Sequence, residues 1–123
     1  MSDVQFADLK GHTVVSISGA EKDSYSVVIE TDGGSFELYH EQDCCEAVLV
    51  AEVHGSPEDL VGGVVVIAEE SCHGRWDPPR GGADSWTWTF YRLVTNRGTL
   101  VLRWLGQSNG YYSERVNLRQ LLN

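Results

Sequence analysis

Several things are scarce in this 123-residue chain, and each scarcity removes a class of protein. No apolar run approaches the roughly 20 residues that span a bilayer, so no membrane partner is expected. Met1 to Lys10 has neither the basic nor the apolar region of a signal peptide, which makes the cytoplasm the expected location. Cysteine occurs three times, at Cys44, Cys45 and Cys72; an odd count with two neighbours argues against a disulfide framework and fits reduced thiols. No segment sustains a 3.6-residue apolar period, so helices beyond one or two short ones are not expected. The P-loop, G-x-G-x-x-G, G-x-S-x-G and H-E-x-x-H patterns are all missing. Glu69 and Glu70 are neighbours that point apart on a strand, a poor acid/base couple. A binding protein without a cofactor is therefore expected rather than an enzyme.

Basic residues are the other shortage. Nine Lys and Arg face eighteen Asp and Glu, for a net charge of −9. The imbalance is uneven: residues 1–87 hold seventeen acidic residues against Lys10, Lys22, Arg75 and Arg80, whereas from Trp88 onward five arginines face Glu114 alone. An acidic surface disfavours general nucleic-acid binding, while a local arginine cluster can hold a small anion or a partner's carboxylates. The same arginines can instead pair with the acidic half, within the fold or across a homo-oligomer.

What is present is a β pattern. Abundant glycine, valine and threonine predict a single, mainly β domain of antiparallel meanders, forming a sandwich or partly open barrel. Strands are expected at Thr13 to Ser18, Tyr25 to Thr31, Ser35 to His40, Ala47 to Val53 and Val64 to Ala68, the last buried on both faces or a hidden edge. Asp32-Gly33-Gly34 marks a tight hairpin. Val4 to Leu9 reads as one helical turn, and Ser56-Pro57-Glu58-Asp59 as a capped start of another. Ser71 to Asp84 is expected to be a long, partly ordered loop in which Trp76 packs or is offered to a partner.

The chain centres on Ser85 to Arg115, read as a three-stranded meander turning at Asn96-Arg97-Gly98 and Asn109-Gly110. A three-residue first loop sets Thr95 against Thr99, so Phe90 faces Trp104 and Tyr91 faces Arg103. Period two then assigns Trp86, Trp88, Phe90, Leu102 and Trp104 to the core. A two-residue second turn sets Gln107 against Tyr112 and Leu105 against Glu114. The outer face becomes a patch of Tyr91, Arg103, Tyr112 and Glu114, flanked by Asn109, Tyr111 and Arg115. Such a patch is either a solvated sheet face with a cation-π pair or a site where rings stack on a base and arginine holds phosphate. A one-residue slip in register would scramble it.

His40, Cys44, Cys72 and His73 are the weak candidates for a metal, since zinc takes four such ligands, yet neither half has C-x2-C or H-x3-H spacing. For a catalytic cysteine, Asp43 and Glu46 would raise the thiol pKa by repulsion. The alternative is that Cys44 or Cys45 is a small buried residue where a strand begins.

Four blocks carry a resemblance: Tyr39 to Glu46, Glu58 to Gly62, Thr87 to Tyr91, and Ser108 to Glu114. Together they resemble a family of small proteins encoded mainly by bacteriophages and classed as a domain of unknown function, over about Asp8 to Val116. The resemblance implies a phage origin, a single small domain and, by analogy, a counter-defence accessory protein in the host cytosol. It brings no activity. In the family pattern Ser71 to Asp84 is variable, without counterparts of Cys72 and His73, which weakens the zinc reading. The ligand expected is a small, nucleotide-like anion. A host enzyme bound through the acidic half, as a nucleic-acid mimic of the anti-CRISPR kind, is the alternative partner.

Overall fold

A computed structural model describes residues 4–74, 78–79 and 81–121. Among the described residues, eight strands form two four-stranded antiparallel sheets, with no helix beyond two single 3-10 turns. β1 (Val14–Ser18), β2 (Val27–Thr31) and β3 (Gly34–Tyr39) form the expected N-terminal meander, and β8 (Asn117–Leu121) pairs with β3 to complete the first sheet. The second sheet has the order β4 (Ala47–His54), β7 (Thr99–Ser108), β6 (Ser85–Thr95), β5 (Val65–Gly74). The 3-10 turns Phe6–Leu9 and Pro57–Leu60 bury Phe6, Leu9 and Leu60 in the core.

The core lies between the sheets. Val27, Ile29, Phe36 and Leu38 meet Val48, Val50, Tyr91, Leu93, Leu100, Leu102 and Trp104, all with 4 % exposure or less. Fully burying one such aliphatic side chain is worth about 1.5–3 kcal/mol, which explains why the alternating strands fold face to face. The sheets also join at corners. Thr13 bridges Val64, Val14 N–H donates to Gly63 O, and Asp23 N–H donates to Val50 O.

Four expectations are corrected. β5 runs on to Gly74, so Ser71 to His73 are strand rather than loop. β5 is an edge strand, as one of the two readings of Val64 to Ala68 had it, but Val66 is 51 % exposed, so the run is neither hidden nor buried on both faces. The strand after Asn109-Gly110 does not pair with β7: residues 109–116 are irregular, and β8 crosses to the first sheet, where Leu118 faces Leu38 and joins the core margin.

The fourth correction is the register of β6 and β7. Phe90 faces Arg103, Tyr91 faces Leu102 and Val94 faces Thr99, one residue from the expected pairing. The cause is Thr95, whose hydroxyl accepts the N–H groups of Arg97 and Gly98 while its own N–H donates to Gly98 O. Thr95 and Gly98 thus close a tight turn with only Asn96-Arg97 at its tip. Because side chains alternate along a strand, this shift turns Tyr91 inward beside Leu102 and places Arg103 outward beside Trp88 and Phe90.

Candidate functional site

The residues expected to make one ligand patch are dispersed. Tyr91 is fully buried, its ring edge-to-face with Phe6 at 4.9 Å. Its hydroxyl reaches the core margin and donates to Glu70 Oε2 at 2.5 Å. Burial, and then the Glu70 carboxylate, push the phenol far above its ordinary range, while the nearby charge of Arg115 acts in the opposite direction. Arg103 is on the outer face of the second sheet. Its guanidinium lies 3.8 Å from the Trp88 ring centroid and 5.7 Å from that of Phe90, and it donates to Glu52 at 2.8 Å. An aromatic and arginine face therefore exists, built from Trp88 and Phe90 instead of tyrosines.

Residues 109–116 fold back on β7 and distribute the rest. Gly106 lies so close to this segment that a Cβ there would clash with the Glu114 backbone carbonyl. Glu114 accepts hydrogen bonds from Thr87 at 2.8 Å and Ser108 at 2.5 Å, an anchoring role. Asn109 Oδ1 accepts the Tyr111 N–H, and Tyr111 is 89 % exposed. Asn109 and Tyr112 line a cavity of about 290 Å³ with Cys45 and Gln107.

Arg115 enters a different and larger space. A cleft of about 880 Å³ opens where β8 and the first 3-10 turn approach the inner face of β5, lined among others by Tyr39, Glu70, Arg115, Asn117, Arg119 and Gln120. The exposed Arg115 guanidinium has no hydrogen bond or ion pair among the described residues. Arg119, by contrast, is committed: it lies 4.2 Å from the Tyr39 ring centroid and donates to Glu37 at 2.7 Å. Burial pushes the Glu37 carboxyl up, but hydrogen bonds from Ser26 and Arg119 and the arginine's charge outweigh it and leave it lowered. β8 positions this set because its pairing with β3 places Arg119 opposite Glu37 and Asn117 opposite Tyr39.

The segment from His40 to Glu46 braces the cleft from behind. Glu46 is buried at 4 % exposure. Its carboxylate accepts His40 Nε2–H at 2.7 Å and the N–H groups of Asp43 and Cys44, both at 2.9 Å. The His40 bond, against the opposing effect of burial and with help from those two amides, lowers its pKa to about 2. His40 Nδ1 lies 2.8 Å from Arg115 O, so the ring faces an oxygen on each side and links Glu46 to the backbone at 115. Glu41 N–H donates to Asn117 Oδ1 at 2.9 Å, a second tie to the cleft wall. The sequence offers His40 as a metal candidate and Glu46 as a flank of the cysteines; their six-residue separation carries no sign of a buried pair.

The cysteines differ from expectation. Cys44 and Cys45 are exposed in a bend, neither on a strand nor in the core, and are joined to each other by a disulfide. Cys72 is a free, exposed thiol 3.7 Å from the Thr89 hydroxyl. The four metal candidates are not assembled: His40 is engaged by Glu46, Cys44 by Cys45, and the neighbours Cys72 and His73 pair with Thr89 and Trp88 on opposite faces of β5. No group of three or more candidate ligands occurs among the described residues. Trp76, Arg75 and Arg80 lie outside the described residues. No described helix is long and apolar enough to cross a membrane.

No curated protein and no solved structure matches this chain. A family model does, over residues 7–118, which is nearly the span of the resemblance seen in the sequence. The chain belongs to the family described as Domain of unknown function (DUF7448).

Proposed function

We propose that this protein is a non-enzymatic binding protein that captures a small, nucleotide-like anion in the cleft beside β8. The observation that carries the reading is Arg115: an exposed guanidinium, without a protein partner among the described residues, in the wall of a cleft of about 880 Å³. A guanidinium offers a bidentate fork to a phosphate. Glu70 accepts sugar hydroxyls, Asn117 and Gln120 supply amide contacts, and the Tyr39 and Arg119 stack flanks the base. Isothermal titration against a panel of cyclic and linear nucleotides tests this. The wild type is expected to bind at least one of them. Arg115→Ala should weaken that binding ten- to hundredfold, the effect of losing a charged hydrogen bond of about 1.5–3 kcal/mol. Arg103→Ala should leave it unchanged. No binding by the wild type to any nucleotide ends the proposal.

The resemblance to phage-encoded proteins supports a phage origin and a counter-defence role in the host cytosol, where such a protein would withdraw a signalling nucleotide. Self-association is part of the same reading. Val15, Val61, Val64 and Val66 are 40–51 % exposed around the corner where β1 meets the start of β5, an apolar surface that a second copy would cover.

A second reading has its own support. Glu21, Asp23 and Asp43 are exposed on loops of the first sheet's side and form no ion pair among the described residues. Such carboxylates suit a mimic of nucleic acid aimed at a basic groove of a host enzyme. Recovery of the host enzyme on immobilised protein should then fall steeply with salt, and a yield independent of salt removes this reading.

A further inference from the structure

We propose that Cys44 and Cys45 form a redox-active modification site that a dithiol reductant opens, and that opening it loosens the wall of the cleft. Three observations converge on this. The disulfide joins adjacent residues that are both exposed, so a reductant reaches it without any unfolding. Its ring contains the Cys44-Cys45 peptide unit, and the N–H of Cys44 is one of two backbone donors holding the buried Glu46 carboxylate. Glu46 in turn holds His40, whose other nitrogen is bonded to Arg115 O, and Glu41 beside it is bonded to Asn117. Gln42 closes the loop by donating to Cys44 O and Glu46 O. The backbone at residues 43–46 is thus shared between the disulfide and the tether that positions residues 115–117.

The chemistry balances as ordinary thiol-disulfide exchange. A thiolate of the reductant attacks one sulfur of the pair, the Cys44–Cys45 S–S bond breaks, and the displaced sulfur leaves as a thiolate and takes a proton. The second thiol of the reductant then attacks the mixed disulfide. Two cysteine thiols are released and the reductant is oxidised to its own disulfide, so two electrons and two protons have moved. Reversal requires a disulfide oxidant of the same class. With the ring open, the backbone torsions at Cys44 and Cys45 are no longer coupled through sulfur. The Asp43 and Cys44 amides then leave Glu46 more often, and the His40 tether to Arg115 weakens with them.

The test needs no ligand and so stands apart from the proposed function. The protein carrying Cys72→Ser, which removes the exposed free thiol, is treated with oxidised or reduced dithiothreitol and alkylated after denaturation. Zero alkyl groups are expected after oxidation and two after reduction. Amide hydrogen exchange is then compared between the two states. Exchange at Glu41, Asp43 and Cys44 is expected to speed up about tenfold on reduction, with a smaller increase across 115–117, while amides of β6 and β7 are unchanged. Two alkyl groups in the oxidised sample show that the disulfide does not form and overturn the proposal. Equal exchange at 41–44 in the two states overturns the coupling, and faster exchange throughout β6 and β7 would show general destabilisation instead of a local tether.

Discussion

Tyr91 offers the sharpest test of how the second sheet is paired, because a one-residue change in register moves it between solvent and core. In the structure its ring is fully buried between Phe6 and the second sheet. Tyr91→Ala should cost about 3–5 kcal/mol, the range for deleting a buried aromatic ring and leaving a cavity. Tyr91→Phe removes only the hydroxyl that donates to Glu70. Because Glu70 is exposed and water replaces the lost donor, that change should cost about 1–2 kcal/mol. Urea unfolding followed by tryptophan fluorescence measures both. With a slope of about 1–3 kcal/mol per molar urea, Tyr91→Ala should lower the midpoint by about 2 M, two to three times the effect of Tyr91→Phe. On the solvent face, the residue would tolerate alanine with a change within about 0.5 kcal/mol. A loss that small for Tyr91→Ala refutes the pairing of Tyr91 with Leu102.

Three further outcomes are expected. Glu46 has its pKa lowered from 4.5 to about 2, so its contribution is present above pH 4.5 and is lost as the pH falls toward 2; Glu46→Gln should flatten the wild type's loss of stability over that window in acid titrations by circular dichroism. Gly106→Ala drives a Cβ into the Glu114 backbone and should destabilise by about 1–3 kcal/mol in urea, with faster proteolysis across 109–116 as its local signature. Arg103→Ala removes the stack on Trp88 and the bond to Glu52, and should cost about 1 kcal/mol in thermal unfolding.

Most strands were legible because their signals are local. Alternating β-branched residues and the Asp32-Gly33 turn specify β1 to β3 between Val14 and Tyr39, and Ser56-Pro57 marks the second 3-10 turn where it occurs. The register of β6 and β7 was not legible, since it depends on whether Thr95 closes the turn against Thr99 or, as its N–H and hydroxyl do here, against Gly98. That one choice decided which aromatic residues are core, and with it the composition of the expected ligand patch. The path of β8 was hidden for a different reason. Asn109-Gly110 does turn, with Gly110 at φ +96°, but the chain needs six more residues to reach the first sheet, and turn chemistry does not say which sheet follows. Arg115 was named from sequence as a flank of the patch and instead lines a separate cleft. The brace behind it joins His40 to a carbonyl 75 residues away, a contact with no local pattern.

The proposed anion site lies beside β8 and not on the outer aromatic face. Nitrogen-15 chemical-shift mapping during titration with the tightest nucleotide of the panel addresses it directly. Shifts are expected to concentrate at residues 5–7, 39, 70 and 115–120, which lie around the cleft. Shifts concentrated instead at residues 88–90 and 101–103, where Arg103 meets Trp88 and Phe90, would contradict that placement.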